Sequence, residues 1–337
     1  MPRIAILTVT DDLHGLVVQD RLRTFPDIEC DVIEADSTAG HEQGMSWSTV
    51  PRAFPSTIPS REGERVDVAN CDLLWLRRWG YPQRAARDLS ERAHIEVINE
   101  SCASTLLGTL LTRFEGAWVS DPAATRRAEN KLLQLRAAAA AGFKVPRTLV
   151  SQDPYQIRRF CHLLEGQVVI KAVRATPSSQ LFTLKARPEH LESDAALRAC
   201  PTIYQEYIPG RRHIRALCCG DDVHAVTIES SDLDWRQNLD VPVTPIEVEP
   251  ETKRRLAHVL RFMGLRMGVV DLKVDDEGER VWLELNPQGQ FLFVEGLTGL
   301  DLTGAFSDFL YREAVAASNG RTNGSSRFSS SLVTRSL

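Results

Sequence analysis

Asp271, Glu284 and Asn286 lie in two apolar runs, "VVDLKV" and "VWLELNPQGQ". An acid inside a buried-looking strand is costly unless something positive meets it. Val269, Asp271 and Lys273 alternate with Val270, Leu272 and Val274; beyond "DDEGE", Trp282, Glu284 and Asn286 alternate with Val281, Leu283 and Leu285. Two such strands joined by a short glycine-containing turn form a hairpin. With Glu277-Gly278 as the turn, Asp276 faces Glu279 and Asp271 falls opposite Glu284, with Asn286 one step along the same face. Like charges facing across a ladder destabilise it. A divalent cation between them reverses the sign, and two carboxylates with an amide oxygen are hard ligands suited to Mg²⁺. The other reading is a solvent face, its carboxylates offset by Lys273 or an arginine.

A magnesium site of this kind usually holds polyphosphate, which calls for cations and a slot for a base. Lys171, alone in the apolar "VVIKAV", is either such a cation or an edge residue whose amine reaches water. Lys131, beside Asn130 and Gln134, is either a second cation or an exposed helix residue. The strand of "YQEYIPG" runs into Pro209-Gly210, a break that can leave backbone groups unpaired and able to read an adenine edge. No glycine–lysine phosphate loop and no dinucleotide fingerprint occurs. Arg77, Arg78 and Trp79 close an earlier strand, as a fork for a carboxylate or as solvated arginines beside a packed tryptophan.

The elements that must position these residues follow from pattern. Residues 3–9, 30–33, 72–76 and 95–98 are short apolar runs between helix-compatible segments, predicting the strands of a small α/β lobe. Residues 37–66, rich in Ser, Thr, Pro, Gly and Arg, read as an irregular insertion. Asp121-Pro122 starts a helix that runs through "AENKLLQLRAAAAAGFKVP" until Gly142 and Pro146 stop it. From Arg147 onward the chain is strand-rich, interrupted by the helix "ETKRRLAHVLRFMG", which reads as α+β. The tail from residue 316 has the composition of a disordered segment.

The net charge of -5 provides no basic field for nucleic acid, and the five Arg-Arg pairs are dispersed. Seven cysteines without metal-ligand spacing fit reduced thiols rather than zinc or disulfides. The N-terminus reads as a strand, not a signal peptide. No apolar run approaches the roughly 20 residues of a membrane helix. A cytoplasmic protein with no membrane partner is expected.

In order, Lys131, Lys171, "QEYIPG", "HIR", "DWRQN", "VVDLKV" and "ELNPQGQ" resemble the ATP-grasp superfamily, in which two α+β lobes hold Mg-ATP between them. Three longer stretches narrow the resemblance: "DLLWLRRWGYP", "AWVSDPAATRRAENKLLQLRAAAAAGFKVPRTLV" and "ELNPQGQFLFVEGLTGLDLTGAF". They look like the maturases of graspetides (microviridin-type), ribosomal peptides closed by side-chain ester or amide links. The similarity covers residues 3 to 312; the glutamate-adding peptide ligases share the second half but less of the first.

The resemblance implies an α+β ATP-grasp fold: an N-terminal α/β lobe over 1–118, a central lobe with a lid over 119–205, a C-terminal lobe with the metal site over 206–315, and a tail over 316–337. It implies that Lys131 and Lys171 contact phosphates and the adenine side of ATP, with Glu206 at the hinge and backbone groups of Tyr207 and Ile208 reading the base. Arg215 and Arg236, with Asn238 beside them, would steady the transferring phosphoryl group. Asp271, Glu284 and Asn286 would hold one or two Mg²⁺. Two departures stand out. His213 replaces an acid that often reaches the ribose or metal, and the loop 174–180 has no glycine where lids usually do, leaving Ser178 and Ser179 to donate. The acids of "DLD" before Trp235 receive no assignment beyond substrate or loop contacts.

The implied activity is an ADP-forming, carboxylate-activating ligase working through an acyl phosphate. Its substrate would be a ribosomal precursor peptide with a leader, whose Asp or Glu carboxylates are closed by Ser/Thr hydroxyls or a Lys amine. A homodimer is admitted. The alternatives are a carboxylate–amine ligase acting on an amino acid, small peptide or protein tail and, from a different class, a non-catalytic nucleotide-binding module.

Overall fold

The computed structural model describes residues 1–50, 53–174, 182–238 and 240–328. They group into two units, one from Met1 to Asp121 joined by the chain from Asp301 onward, the other Pro122–Leu300.

The first unit begins β1 (Arg3–Thr8), α1 (Leu13–Leu22), β2 (Glu29–Glu34), β3 (Ile58–Pro59), β4 (Arg65–Val66), β5 (Leu73–Leu76), α2 (Arg92–Arg113) and β6 (Ala117–Val119). Its main sheet has the order β2-β1-β5-β6, with every neighbour parallel. Ile4, Ile6, Leu7, Leu73 and Leu74 are fully buried, as strands covered on both faces require. Two expectations are corrected. Residues 95–98 are helical, in α2: Ile95, Ile98, Cys102, Leu106 and Leu110 recur every three or four positions, the stripe of a helix. The fourth strand is instead β6. Nor is 37–66 wholly irregular, because β3 pairs with β4 and Ser46 bridges Thr57, while Ile58 and Val66 enter the core.

At the end of β5, Arg77 and Arg78 both turn to Asp12, the residue that caps α1. Arg77 Nε lies 3.3 Å and Arg78 Nε 3.5 Å from its carboxylate. Arg77 is 1% exposed, and burial pushes its guanidinium down to about 10 despite Asp12. Arg78 also donates to the Tyr81 hydroxyl at 2.9 Å. The fork therefore meets a carboxylate of the chain itself.

The second unit carries α3 (Pro122–Ala128), α4 (Lys131–Ala140), β7 (Thr148–Ser151), α5 (Pro154–Leu163), β8 (Val168–Ala172), β9 (Leu184–Lys185), α6 (Asp194–Arg198) and β10 (Thr202–Glu206). These strands form an antiparallel sheet, β7-β10-β8-β9, over a core of Ile157, Cys161, Val168, Leu197 and Tyr204. There follow β11 (Arg212–Cys219), β12 (Asp222–Glu229), β13 (Val243–Ile246), α7 (Pro250–Met263), β14 (Met267–Val274), β15 (Arg280–Asn286) and α8 (Leu292–Thr298). The second sheet is antiparallel, ordered β13-β12-β11-β14-β15. The chain then returns to the first unit through α9 (Leu302–Phe328). That helix enters the tail expected from residue 316; residues 329–337 lie outside the described residues.

The single helix expected after Asp121 is two. Asn130 breaks it by capping α4, its side chain accepting from Leu132 N at 3.0 Å and Leu133 N at 3.2 Å. Lys131 consequently opens a helix instead of lying in the middle of one.

Candidate active site

One face of the five-stranded sheet is apolar. Ile214, Ala216, Val270, Leu272, Val274, Trp282 and Leu285 pack there with Ala137, Ala138, Leu256 and Leu260 of α4 and α7. Strand alternation then commits the opposite face of β11 and β14 to His213, Arg215, Asp271 and Lys273. The ladder pairs His213 with Lys273, Arg215 with Asp271, and Asp271 with Glu284.

The facing of Asp271 and Glu284 arises by a different route from the turn count. Near the turn the pairs are Val274 with Arg280, Lys273 with Val281 and Leu272 with Trp282, and a bulge between Asp271 and Leu272 shifts the register by one. The extra residue moves Trp282 off the charged face and into the core, 5.5 Å from the Phe143 ring. Beyond β15, Gly289 crosses Val269 so closely that a Cβ would stand 2.3 Å from the valine Cβ. Only glycine fits that turn.

Four basic residues meet the two facing carboxylates. Arg215 Nη1 donates to Asp271 Oδ1 at 2.9 Å and Oδ2 at 2.8 Å, and its Nη2 donates to Gln290 O at 3.0 Å. Lys131 Nζ is 3.3 Å from Glu284 Oε2, and Arg236 Nη1 is 3.9 Å from Glu284 Oε1. Lys171 reaches the group from the other sheet; its Nζ donates to Gln205 Oε1 at 2.9 Å. Burial pushes Lys171 down to about 8, although the Glu284 charge favours its protonated form. Burial and the Glu284 charge lift the Asp271 carboxyl above the usual range in spite of Arg215. For Glu284, burial is outweighed by Lys131, Lys171 and Arg236, which hold it below that range.

At the end of β10, Glu206 is bound to Arg147: its carboxylate accepts from Arg147 N at 3.0 Å and Nη2 at 2.7 Å. Tyr207 N donates to Gln167 O at 2.9 Å. Among the described residues, the Tyr207 carbonyl and both backbone groups of Ile208 make no backbone hydrogen bond. Gly210 holds the break with φ at 104°, and a Cβ there would lie 2.6 Å from Val274 O. The ammoniums of Lys185 and Lys273 lie 5.0 and 5.6 Å from the Tyr207 ring centre. Among the described residues His213, 3% exposed, has no hydrogen-bond partner on either ring nitrogen. Burial and the Lys273 charge push it down to about 4, leaving the imidazole neutral at pH 7.

The structure thus brings Lys131, Lys171, Arg215, Arg236, Asp271 and Glu284 together, and sets His213 two ladder pairs from Asp271 toward the Tyr207 end. Asn238 is exposed, its side chain accepting from Asp240 N at 2.9 Å. Asn286 is exposed, its amide oxygen accepting from Gln288 N at 3.0 Å. Ser178 and Ser179 of the expected lid lie outside the described residues. Gln205, Asp234, Trp235 and Phe293 are additions. The acid two positions before Arg236 was a usable signal for Asp234; nothing local marks Phe293.

No group of three or more His, Cys, Asp or Glu among the described residues could hold a metal. The donors fit a hard cation only in the manner of magnesium sites completed by phosphate oxygens and water, with two carboxylates and one amide oxygen from the chain. No helix among the described residues is long and apolar enough to cross a membrane.

A family model described as a RimK-like ATP-grasp domain matches residues 128–310. A probable alpha-L-glutamate ligase of Pseudoalteromonas translucida is 28% identical over 211 residues, spanning 60% of this chain and 69% of the relative. Among solved structures, a RiPP-associated ATP-grasp ligase of Chryseobacterium gregarium, in complex with ADP and a leader and core peptide, superposes with a TM-score of 0.81 at 23% identity, covering 93% of this chain and 97% of that one. The ATP-grasp ligase PsnB, complexed with minimal precursor, Mg and ADP, gives a TM-score of 0.74 at 25% identity over 92% and 97%.

Proposed function

The chain belongs to the RimK-like ATP-grasp family and is an ATP-grasp ligase, and from that premise we propose that it closes side-chain crosslinks in a ribosomal precursor peptide. A peptide Asp or Glu carboxylate oxygen attacks the γ-phosphorus of ATP, breaking the bond to ADP and giving an acyl phosphate. A Ser/Thr hydroxyl or Lys amine then attacks the acyl carbon, loses its proton, and expels phosphate, leaving an ester or amide.

The observation that carries this reading is the facing Asp271–Glu284 pair, surrounded by Lys131, Lys171, Arg215 and Arg236. The cations exceed the carboxylates, and Lys171 has an amide rather than a carboxylate as its direct partner. That surplus suits a polyphosphate. A bound Mg²⁺, one ion or two, would be held by Asp271, Glu284 and Asn286 and would supply charge neutralisation at the phosphates. The protein's part is positioning and electrostatic stabilisation. Lys131 and Lys171 bind the phosphates, and Arg215 and Arg236 face the transferring group. The open backbone groups at Tyr207 and Ile208, behind the Glu206–Arg147 pair, receive the base. Neutral His213 offers its ring nitrogens to hydroxyls between the two ends.

The peptide as substrate is supported by the peptide-bound ligases, which superpose over 92–93% of the chain with TM-scores of 0.81 and 0.74. The glutamate ligase relative matches 60% of it by sequence. That relative's name favours one second reading, the addition of an amino acid to a peptide or protein tail. Incubation with the candidate peptide, Mg²⁺ and ATP separates the two. Crosslinking releases ADP and removes one water per link from the peptide mass; amino-acid addition raises the mass and requires the free amino acid. ATP binding without peptide-stimulated ADP release would leave neither standing.

A further inference from the structure

We propose that Asp234 and Trp235, two consecutive residues of the turn before Arg236, are the positioning residues for both phosphoryl arginines, an inference that rests on the ATP reading of this site. Asp234 caps the short 3-10 turn Trp235–Gln237 through Arg236 N at 3.3 Å. Its carboxylate, 5% exposed as a side chain, also accepts from Arg236 Nε at 2.8 Å and Nη2 at 2.6 Å. Two parallel bonds of this kind fix the plane of a guanidinium as well as its place. The third nitrogen, Nη1, is left as the edge toward Glu284.

Trp235 performs the corresponding task for Arg215. Its ring stacks with Phe293, centroids 5.8 Å apart at 28°, and the Arg215 guanidinium lies 5.6 Å from the tryptophan ring and 5.3 Å from the phenylalanine ring. With Asp271 and Gln290 O engaging its Nη atoms, Arg215 is held on an aromatic surface, which favours a weakly hydrated guanidinium over an ammonium.

A role confined to stability accounts poorly for this arrangement. The Arg236 side chain is 39% exposed, and an ion pair with one partner that open adds little to folding. What a buried, doubly bonded carboxylate does provide is a guanidinium fixed before any ligand arrives. Asp234 also accepts from Thr183 N at 3.4 Å, so its own position is tied to the other sheet's edge.

The test needs no peptide. Affinities for ADP alone, and for ADP with aluminium fluoride as a mimic of the transferring phosphoryl group, are measured in Mg²⁺ by calorimetry. Asp234→Asn is expected to weaken the fluoride complex ~10-fold or more, the scale of a misplaced electrostatic stabiliser, with ADP affinity alone within about threefold. In an Arg236→Ala background Asp234→Asn should cost nothing further, and Asp234→Glu should recover part of the loss. Trp235→Leu should behave likewise against Arg215→Ala, with Trp235→Phe close to the parent. Equal fluoride affinity in Asp234→Asn, or a loss that persists in the Arg236→Ala background, would overturn the proposal. A parent protein that binds no ADP, or gains nothing from fluoride, overturns instead the ATP reading on which it rests.

Discussion

Two places in this molecule surround carboxylates with more cations than they need, and they differ in what is open to solvent. In the first unit Arg77 and Arg78 share Asp12; Arg77 and the acid are 1% and 8% exposed, and Arg78, at 27%, turns partly to solvent. In the second unit four cations serve Asp271, Glu284 and Asp234; Arg215 and Asp271 are closed, at 10% and 12%, but Glu284, Lys131 and Arg236 remain 32%, 28% and 39% exposed. A closed cluster commits its charge to the fold. A half-open one keeps charge available for a ligand.

Removing one partner from each cluster sharpens the contrast. Arg77→Ala leaves the buried Asp12 charge without its main partner and should destabilise the protein by about 3–5 kcal/mol, read from chemical denaturation. Glu284→Gln should leave the denaturation midpoint nearly unchanged and lower peptide-dependent ADP release ~10²-fold or more. If Arg77→Ala proves neutral in stability while lowering nucleotide turnover, the clusters are alike and the contrast fails.

Smaller effects test the ligand end. His213→Ala should weaken nucleotide affinity by a few-fold to about tenfold, the worth of one or two modest hydrogen bonds; unchanged affinity would remove the imidazole from the site. Lys171, pushed down to about 8 by burial, is partly neutral near that pH. Nearby phosphates favour its charged form and raise its pKa, so nucleotide binding at pH 8 should take up protons. Calorimetry in buffers of differing ionisation enthalpy reads this, and Lys171→Met should abolish the uptake.

Residue pattern conveyed the two halves of this site unequally. Alternation in "VVDLKV" and "VWLELN", counted back from the turn, set Asp271 opposite Glu284, and the two do face, although a bulge rather than the counted register brings them there. The same alternation misplaced Trp282, since a bulge carries no residue signature and reverses the face of the residues beyond it. Asn130 interrupts a helix whose alanine-rich propensity favours continuity, and capping chemistry outweighed propensity there. Residues 95–98 looked like a strand because four residues are too few to separate the two periods; the longer stripe to Leu110 decides for helix. The partners of Arg215 come from positions 235, 271, 290 and 293, and only the folded chain unites them.

Asp271 and Glu284 form either a metal–nucleotide site, as proposed, or a neutralised internal network. Titrating ADP into the protein with and without Mg²⁺, for the parent and for Glu284→Gln, separates the two directly. Magnesium should tighten ADP binding to the parent and have little effect on the variant, whose thermal stability should match the parent's. Equal magnesium dependence in both proteins, or none in the parent, would contradict the metal–nucleotide site.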